Sequence, residues 1–192
     1  MTPMTGPASS ASNEPDIAFD AIVELVESLD PNPAYVIGAR WDVLHANPAA
    51  RTLFADWPSR PRIERNMLWY YLCDPSARTL FLDWEAEAAH QLAHFRYAAP
   101  ADDPAVAALV ERVIEHTPIA GTWWEQLPAD PNRSGRKRMR MADGGVVGFR
   151  QLVLQHLDTP DLQVVCYLPD TDDTGDDDEG FEGFDDVEDL ID

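Results

Sequence analysis

A short basic run holds the side chains with the clearest capacity for ionic chemistry, Arg136-Lys137-Arg138-Met139-Arg140. Successive side chains of a strand point to opposite faces, so the three arginines share one face. If the opposite face, with Met139 and Met141, is interior, Lys137 lies inside as well. There its amine can pair with the carboxylate of a bound molecule. This pattern predicts Lys137 and Met139 as ligand-binding residues.

The arginine side of the same strand has two possible roles. A solvated surface strand is the simpler interpretation, because exposed charges need no partner. Alternatively, the arginines hold the acidic C-terminal segment of the same chain, since opposite charges at high effective concentration associate without specific geometry.

Large aromatic residues are concentrated in segments with helical spacing: Trp69, Tyr70, Tyr71, Phe81, Trp84, Trp123 and Trp124. They bury a large area, and Trp and Tyr add a polar group, which suits the wall of a cavity for an acyl chain. The competing interpretation is that they only fill the core. The predicted ligand-binding residues are Trp69, Tyr70, Phe81, Trp84, Leu92, Trp123, Trp124, Lys137, Met139 and Phe149.

His90 and His94 lie four residues apart with Glu87 one turn earlier, a spacing that can chelate a divalent cation. Two histidines without a third nearby ligand are weak grounds, so no metal and no other cofactor is expected. Nucleophile elbows, phosphate-binding glycine loops, zinc-protease motifs and Cys-x-x-Cys pairs are missing from the sequence. We therefore expect no enzymatic activity.

The C-terminal segment from Asp170 to Asp192 contains 13 Asp and Glu residues and no Lys or Arg. Its first half superficially matches a calcium loop, but Phe181 stands where the bidentate Glu is needed. Apolar residues recur every three or four positions, which is typical of a disordered segment that folds as a helix on a partner. A bare solvating tail is the alternative. The predicted partner-binding residues are Phe181, Phe184, Val187, Leu190 and Ile191.

Helices and strands in a definite order position these residues. Residues 1–15 and 170–192 are expected to be disordered, leaving one domain over residues 16–169. A helix from Asp16 to Leu29 precedes a hairpin of two strands, 34–37 and 41–46. Helices over 49–54, 66–73, 76–97, 104–116 and 118–127 follow, with 76–97 the longest. Three strands, 137–141, 146–157 and 162–168, close the domain.

This order predicts an α+β fold, a PAS-like five-stranded antiparallel sheet with the helices on one face. The formal charge of -21 comes mostly from the tail, and the rest of the chain is also net acidic. Because nucleic acid binding requires basic charge, a nucleic acid partner is not expected. Two separated cysteines, no signal peptide and no long apolar run predict a cytoplasmic protein with no membrane association.

Several ordered motifs resemble the ligand-binding domain of MmyB-like transcription regulators, XRE-type proteins of actinobacteria. They are Pro33 to Asn47, Asn66-Met67-Leu68 through Asp74-Pro75, Asp83-Trp84-Glu85, and Gly135-Arg136-Lys137-Arg138, and the match runs from about Ile17 to Leu168. The resemblance implies a sensor with a long apolar pocket for a fatty-acid-like ligand. The family's helix-turn-helix would precede Ile17, where only a low-complexity stretch stands, so direct DNA binding is not expected.

Two functions therefore remain open, and an enzyme that uses the same cavity is a third, less favoured alternative. In the first, ligand binding stabilises one arrangement of the helices, and a protein partner or a second copy reads the change. In the second, the protein is an adaptor with a packed PAS-like core that binds a partner through residues 181–191. The helix at Ile17 to Leu29 either forms a homodimer or covers its own sheet.

Overall fold

The computed structural model describes residues 14–131 and 135–171. Within these ranges the chain forms seven α-helices and five β-strands. In chain order they are α1 Glu14–Ser28, β1 Ala34–Ile37, β2 Val43–Ala46, α2 Pro48–Leu53, α3 Met67–Cys73, α4 Pro75–Leu80, α5 Trp84–Ala98, α6 Pro104–His116, α7 Ile119–Gln126, β3 Gly135–Arg140, β4 Val146–Gln155 and β5 Gln163–Pro169. Predictions made for residues 1–13 and 172–192 lie outside the described residues.

Five helices begin at a side chain that accepts a hydrogen bond from the backbone of the first turn. The capping residues are Asn47, Asn66, Asp74, Asp83 and Asp103. Short polar side chains of this kind satisfy amides that have no partner inside the helix. The caps Asn47, Asn66, Asp74 and Asp103 lie where helix starts were predicted to within one residue, whereas the start capped by Asp83 was not predicted.

The predicted helix over residues 76–97 is wrong in one respect, because the chain leaves the helix between Leu80 and Trp84. Phe81 pairs with Met139 of β3, and the amide of Leu82 donates to the carbonyl of Arg138 at 3.1 Å. This short extended segment covers part of the edge of β3, and unpaired sheet edges are unfavourable. Helix α5 then has 15 residues, the same length as α1.

Strand β2 begins two residues later than predicted. Trp41 adopts a left-handed backbone conformation with φ of 62°, and Asp42 pairs with Asn66 instead of β1. The buried Trp41 ring lies edge-on to Phe95 at 5.1 Å between ring centroids. Packing of this indole on α5 accompanies a conformation that bulky residues rarely adopt.

All neighbouring strands pair antiparallel in the order β2-β1-β5-β4-β3. Two strands, then helices, then three strands therefore close into a single sheet with β5 in its centre. The predicted α+β class and PAS-like five-stranded antiparallel sheet are confirmed. The prediction that the helices lie on one face holds for α2 to α7 but not for α1.

The two faces of the sheet carry separate cores. Helices α2 to α7 pack on one face in a large aromatic core, which includes Tyr35, Val165 and Tyr167 of the central strands. On the other face, Ile22 and Val26 of α1 pack against alternate residues of the same strands: Ala34, Val36, Val164 and Cys166. Helix α1 thus covers its own sheet, one of the two roles predicted for it. No helix in the described ranges is long and apolar enough to cross a bilayer.

Candidate functional site

The helix-covered face of the sheet contains a buried cluster of hydroxyl and amide groups. The Tyr167 hydroxyl lies 3.3 Å from that of Tyr35 and 3.1 Å from that of Tyr71. The Gln151 side-chain amide donates to the same Tyr167 oxygen at 3.0 Å. None of the four residues is more than 3% exposed. We call them the tyrosine cluster.

The tyrosine cluster is polar but uncharged. Burial, together with the neighbouring hydroxyls, raises the pKa of Tyr167 well above its ordinary value, so the hydroxyl keeps its proton at physiological pH. The Gln151 Oε1 atom has no hydrogen-bond partner within the described part of the chain. A buried acceptor left in this state costs about 1–3 kcal/mol. The cluster can therefore accept one more donor from a guest or a water molecule.

A second buried cluster joins α5 to β3 by charge. Lys137 Nζ donates to Glu87 Oε2 at 2.8 Å, and Gln91 Nε2 donates to Glu87 Oε1 at 2.8 Å. The side chains of Lys137 and Glu87 are only 2% and 9% exposed. The predicted inward direction of Lys137 is confirmed, and its partner in the structure is Glu87. We call Lys137, Glu87 and Gln91 the lysine cluster.

The two histidines of α5 contact Asp130, which follows α7. His90 Nδ1 lies 3.3 Å from Asp130 Oδ2, and His94 Nδ1 lies 2.9 Å from the Asp130 carbonyl oxygen. Burial, and then the charge of Lys137, lowers the pKa of His90 and favours its neutral form. No group of three metal-ligating side chains occurs among residues 14–131 and 135–171. Glu87, the third member of the suspected chelating spacing, binds Lys137 instead.

Five of the predicted ligand-binding residues lie around α3, α5 and the inner face of β3 and β4. The rings of Phe81 and Tyr71 are 5.2 Å apart, and the Trp84 indole donates to the Tyr71 carbonyl at 2.7 Å. Trp123 lies 6.3 Å from Trp84 between ring centroids, and Phe149 lies 6.4 Å from Tyr167. Met139 completes this wall through its pairing with Phe81.

The remaining predicted residues have different surroundings. Trp69 packs edge-on against His116 of α6 at 4.6 Å, and Tyr70 packs against Phe54 at 5.8 Å. Trp124 is half-buried, with the Arg96 guanidinium 5.6 Å from its ring. Leu92 is 1% exposed within α5. None of these contacts joins Trp69, Tyr70 or Trp124 to the lysine cluster.

Two indole groups in the helix-covered core, like the Gln151 side chain, have a buried polar atom without a hydrogen-bond partner among the described residues. These atoms are Nε1 of Trp57 and Nε1 of Trp123. Native interiors rarely leave such donors unsatisfied, and each instance requires an explanation. Trp123 belongs to the aromatic wall described above, so one of these two donors lies within that wall.

Sequence reasoning missed five residues of the two clusters: Tyr35, Tyr167, Gln151, Glu87 and Gln91. Strand alternation could have found Gln151, which stands two residues from Phe149 and so shares its face. The four-residue spacing of Glu87 and Gln91 on one helix was also visible. The contact of Glu87 with Lys137 could not be seen in the sequence, because the two residues are 50 positions apart.

A separate surface groove of about 370 Å³ lies beside the turn between β1 and β2. Its lining includes Arg40, Arg62 and Arg112 over an apolar floor with Ile63 and Leu109. Arg40 is paired with Asp42 and Asp103 at its rim. None of the ten predicted ligand-binding residues lines this groove.

The solved structures that are similar to this chain include two PAS domains. The PAS domain of an HTR-like protein from Haloarcula marismortui has 12% identity and a TM-score of 0.34, with 81% of this chain and 99% of that chain covered. A PAS domain from a two-component sensor histidine kinase has 11% identity and a TM-score of 0.32, with coverages of 82% and 100%. Among curated proteins, none matches this chain.

The family model described as MmyB-like transcription regulator ligand binding domain matches residues 19–177. This range contains both cores of the sheet, the tyrosine cluster and the lysine cluster. The resemblance indicated by the ordered motifs is confirmed. With most of its length matched, the chain belongs to the family of MmyB-like transcription regulator ligand binding domains.

Proposed function

We propose that the core between the sheet and helices α3, α5 and α7 binds a fatty-acid-like molecule and that the protein signals its presence to a protein partner. The observation that carries this proposal is the buried amine of Lys137, which is 2% exposed inside an aromatic core. A buried cation must stay paired, and a ligand carboxylate has the charge needed to replace Glu87 as the partner of Lys137. The family's description as a ligand-binding domain supports the same function.

The lysine cluster suits an exchange of carboxylates. Glu87 holds Lys137 through one oxygen and Gln91 through the other. A ligand carboxylate that takes the place of Glu87 at Lys137 keeps the amine paired. Glu87 must then move towards solvent, because a carboxylate buried without its cation costs about 3–5 kcal/mol. An exchange that shifts α5 relative to β3 would let ligand binding favour the shifted arrangement.

The aromatic wall supplies affinity for the acyl chain. Burial of each methylene contributes about 0.8 kcal/mol, whereas the carboxylate mainly fixes the orientation of the ligand. Met139 and Phe149 lie on the inner face beside Lys137, and Phe149 is its direct partner across β3 and β4. An acyl chain anchored at Lys137 would therefore lie along Phe81, Trp84 and Trp123.

Native mass spectrometry of the full chain purified from cells tests this function, and we expect a retained acyl ligand. Binding of a fluorescent fatty acid is then compared between the natural chain and a double variant, Lys137→Met with Glu87→Gln. The double variant removes the amine without leaving a buried carboxylate. Arg138→Met, on the outer side of the same strand, is the matched control. Weaker binding only in the double variant supports the proposal, whereas no ligand and no binding contradict it.

A second candidate function is an adaptor with a packed core, favoured by the near-complete burial of Tyr35, Tyr71, Tyr167 and Trp123. In that case residues 181–191 do the binding, with Phe181, Phe184, Val187, Leu190 and Ile191 on the partner's surface. A ligand-free mass, together with a partner captured by the natural chain and lost in Phe184→Asp, would favour this function over the first.

A further inference from the structure

The outer face of β3 and β4 is a basic and apolar surface that α1 leaves uncovered. Its side chains alternate with the inward-facing Lys137 and Met139 of β3 and with Phe149 and Gln151 of β4. Leu152 and Leu154 are 41% and 52% exposed there. We call this surface the arginine face; its exposed members are Arg136, Arg138, Arg140, Arg150, Leu152 and Leu154.

Charge repulsion is built into the arginine face. Arg136 and Arg150 stand directly opposite each other across the two strands, an unfavourable arrangement for like charges. The carboxylate of Asp170 compensates them, with one oxygen 2.7 Å from Arg136 Nε and the other 3.9 Å from Arg150 Nε. Within the described residues, the side chains of Arg138 and Arg140 have neither an ion pair nor a hydrogen bond. Two of the four arginines of this face therefore have no acidic partner in the part of the chain that the structure describes.

We propose that the arginine face is the docking surface for the chain's own acidic segment, residues 172–192. This segment begins two residues after Asp170 and carries 12 Asp and Glu residues with no Lys or Arg. Its five apolar residues, named above as partner-binding, would lie against Leu152 and Leu154 while its acids lie against Arg138 and Arg140. Asp170 is then the first contact of a continuous acidic surface.

The lengths of the two parts agree. Residues 172–180 span up to about 30 Å when extended, so residues 181–191 can reach any point of the arginine face. As a helix, those 11 residues would measure about 16 Å. Strand β4, with ten residues, is about 34 Å long and exceeds this length. Because the tether keeps the segment at millimolar effective concentration, even a weak contact would be populated.

Docking would regulate the segment. The apolar residues that a partner protein would contact are the same ones placed on the sheet. A partner must therefore displace the segment from the arginine face before it can bind. This consequence rests on the proposed function of residues 181–191, whereas the docking itself does not.

Paramagnetic broadening in the full chain tests the docking. A spin label is attached at Asp192→Cys, with Cys73→Ala and Cys166→Ala to remove the native thiols, and amide spectra confirm that the fold is kept. We expect selective loss of signal from residues on the outer side of β3 and β4. The loss should disappear in Arg138→Glu with Arg140→Glu and should decrease at high salt, since ionic contacts are screened.

Arg62→Glu with Arg112→Glu is the matched control, because these two arginines line the groove on the other side of the fold. This control should leave the broadening unchanged. Equal broadening on all faces, or broadening that survives charge reversal of the arginine face, would overturn the proposal. A mixed sample tests whether the segment of another copy docks instead. In this sample one population of chains carries the spin label without isotope, and the other carries the isotope without the spin label. Broadening that passes between chains would show that another copy's segment docks, which also overturns it.

Discussion

The two faces of the same sheet handle charge in opposite ways. On the helix-covered face, Lys137 is 2% exposed and is held by a single carboxylate from a helix 50 residues away in sequence. On the outer face, its neighbours Arg136 and Arg138 are exposed, and Arg136 has an ion pair supplied by the C-terminal end of β5. One strand thus carries an ion pair inside a core and a row of cations at the surface.

Burial determines how firmly each charged side chain of the sheet is bound to its partner. Exposed ion pairs contribute about 0–1 kcal/mol each, so the outer arginines are free to exchange partners. Breaking a buried pair by removing one member costs about 3–5 kcal/mol, so the inner lysine must always have an acid beside it. We expect the inner face to respond to a ligand and the outer face to respond to polyelectrolyte charge and salt.

The largest predicted effect separates adjacent residues of β3. Lys137→Ala should reduce the free energy of unfolding by about 3–5 kcal/mol, because it leaves the Glu87 carboxylate buried without its cation. Arg138→Ala should change the same free energy by no more than about 0.5 kcal/mol. Urea unfolding of both variants measures the comparison. Equal effects at the two positions would mean that the two faces do not differ as described.

A smaller effect is predicted at the tyrosine cluster. Tyr167→Phe removes the hydroxyl to which Tyr35, Tyr71 and Gln151 are hydrogen bonded, and should cost about 1–3 kcal/mol of unfolding free energy. Tyr97→Phe, at a side chain that is 60% exposed, is the control and should have almost no effect. If chemical denaturation finds the two substitutions equivalent, the cluster does not stabilise the fold.

The smallest predicted effect is a pH dependence at His90. Burial and the charge of Lys137 lower the pKa of His90 in the fold, while Glu87 and Asp130 oppose this shift. The unfolded chain, with an ordinary histidine, binds the proton first, so stability is full above about pH 6.5 and decreases below it. His90→Asn should flatten this decrease relative to the natural chain, as followed by urea unfolding at several pH values.

The control for this last experiment is His45→Asn, which changes a histidine that pairs with Glu27 at the surface. It should leave the decrease in stability below about pH 6.5 largely in place. An identical response of the two variants would show that the buried site has no special part in the acid sensitivity.

Short-range chemistry explains which parts of the fold were predictable. Asn47 and Asn66 mark helix starts because their side chains cap amides within three residues. Alternation placed Lys137 inside for an equally local reason. The break at Phe81 was not predictable, because helical spacing continues through it and only the edge of β3, more than 50 residues later, draws the segment out of the helix.

The order of helices and strands and the inward direction of Lys137 could be predicted from the sequence alone, and that order in turn suggested one antiparallel sheet. The positions of helices and strands and the direction of Lys137 depend on patterns a few residues long, because local backbone geometry sets which side chains share a face. Three features became visible only in the three-dimensional structure. Glu87 pairs with Lys137, Tyr35 and Tyr71 both contact the Tyr167 hydroxyl, and α1 covers the opposite face of β1 and β5. These contacts join distant residues, and long-range packing selects among many partners that are locally equivalent.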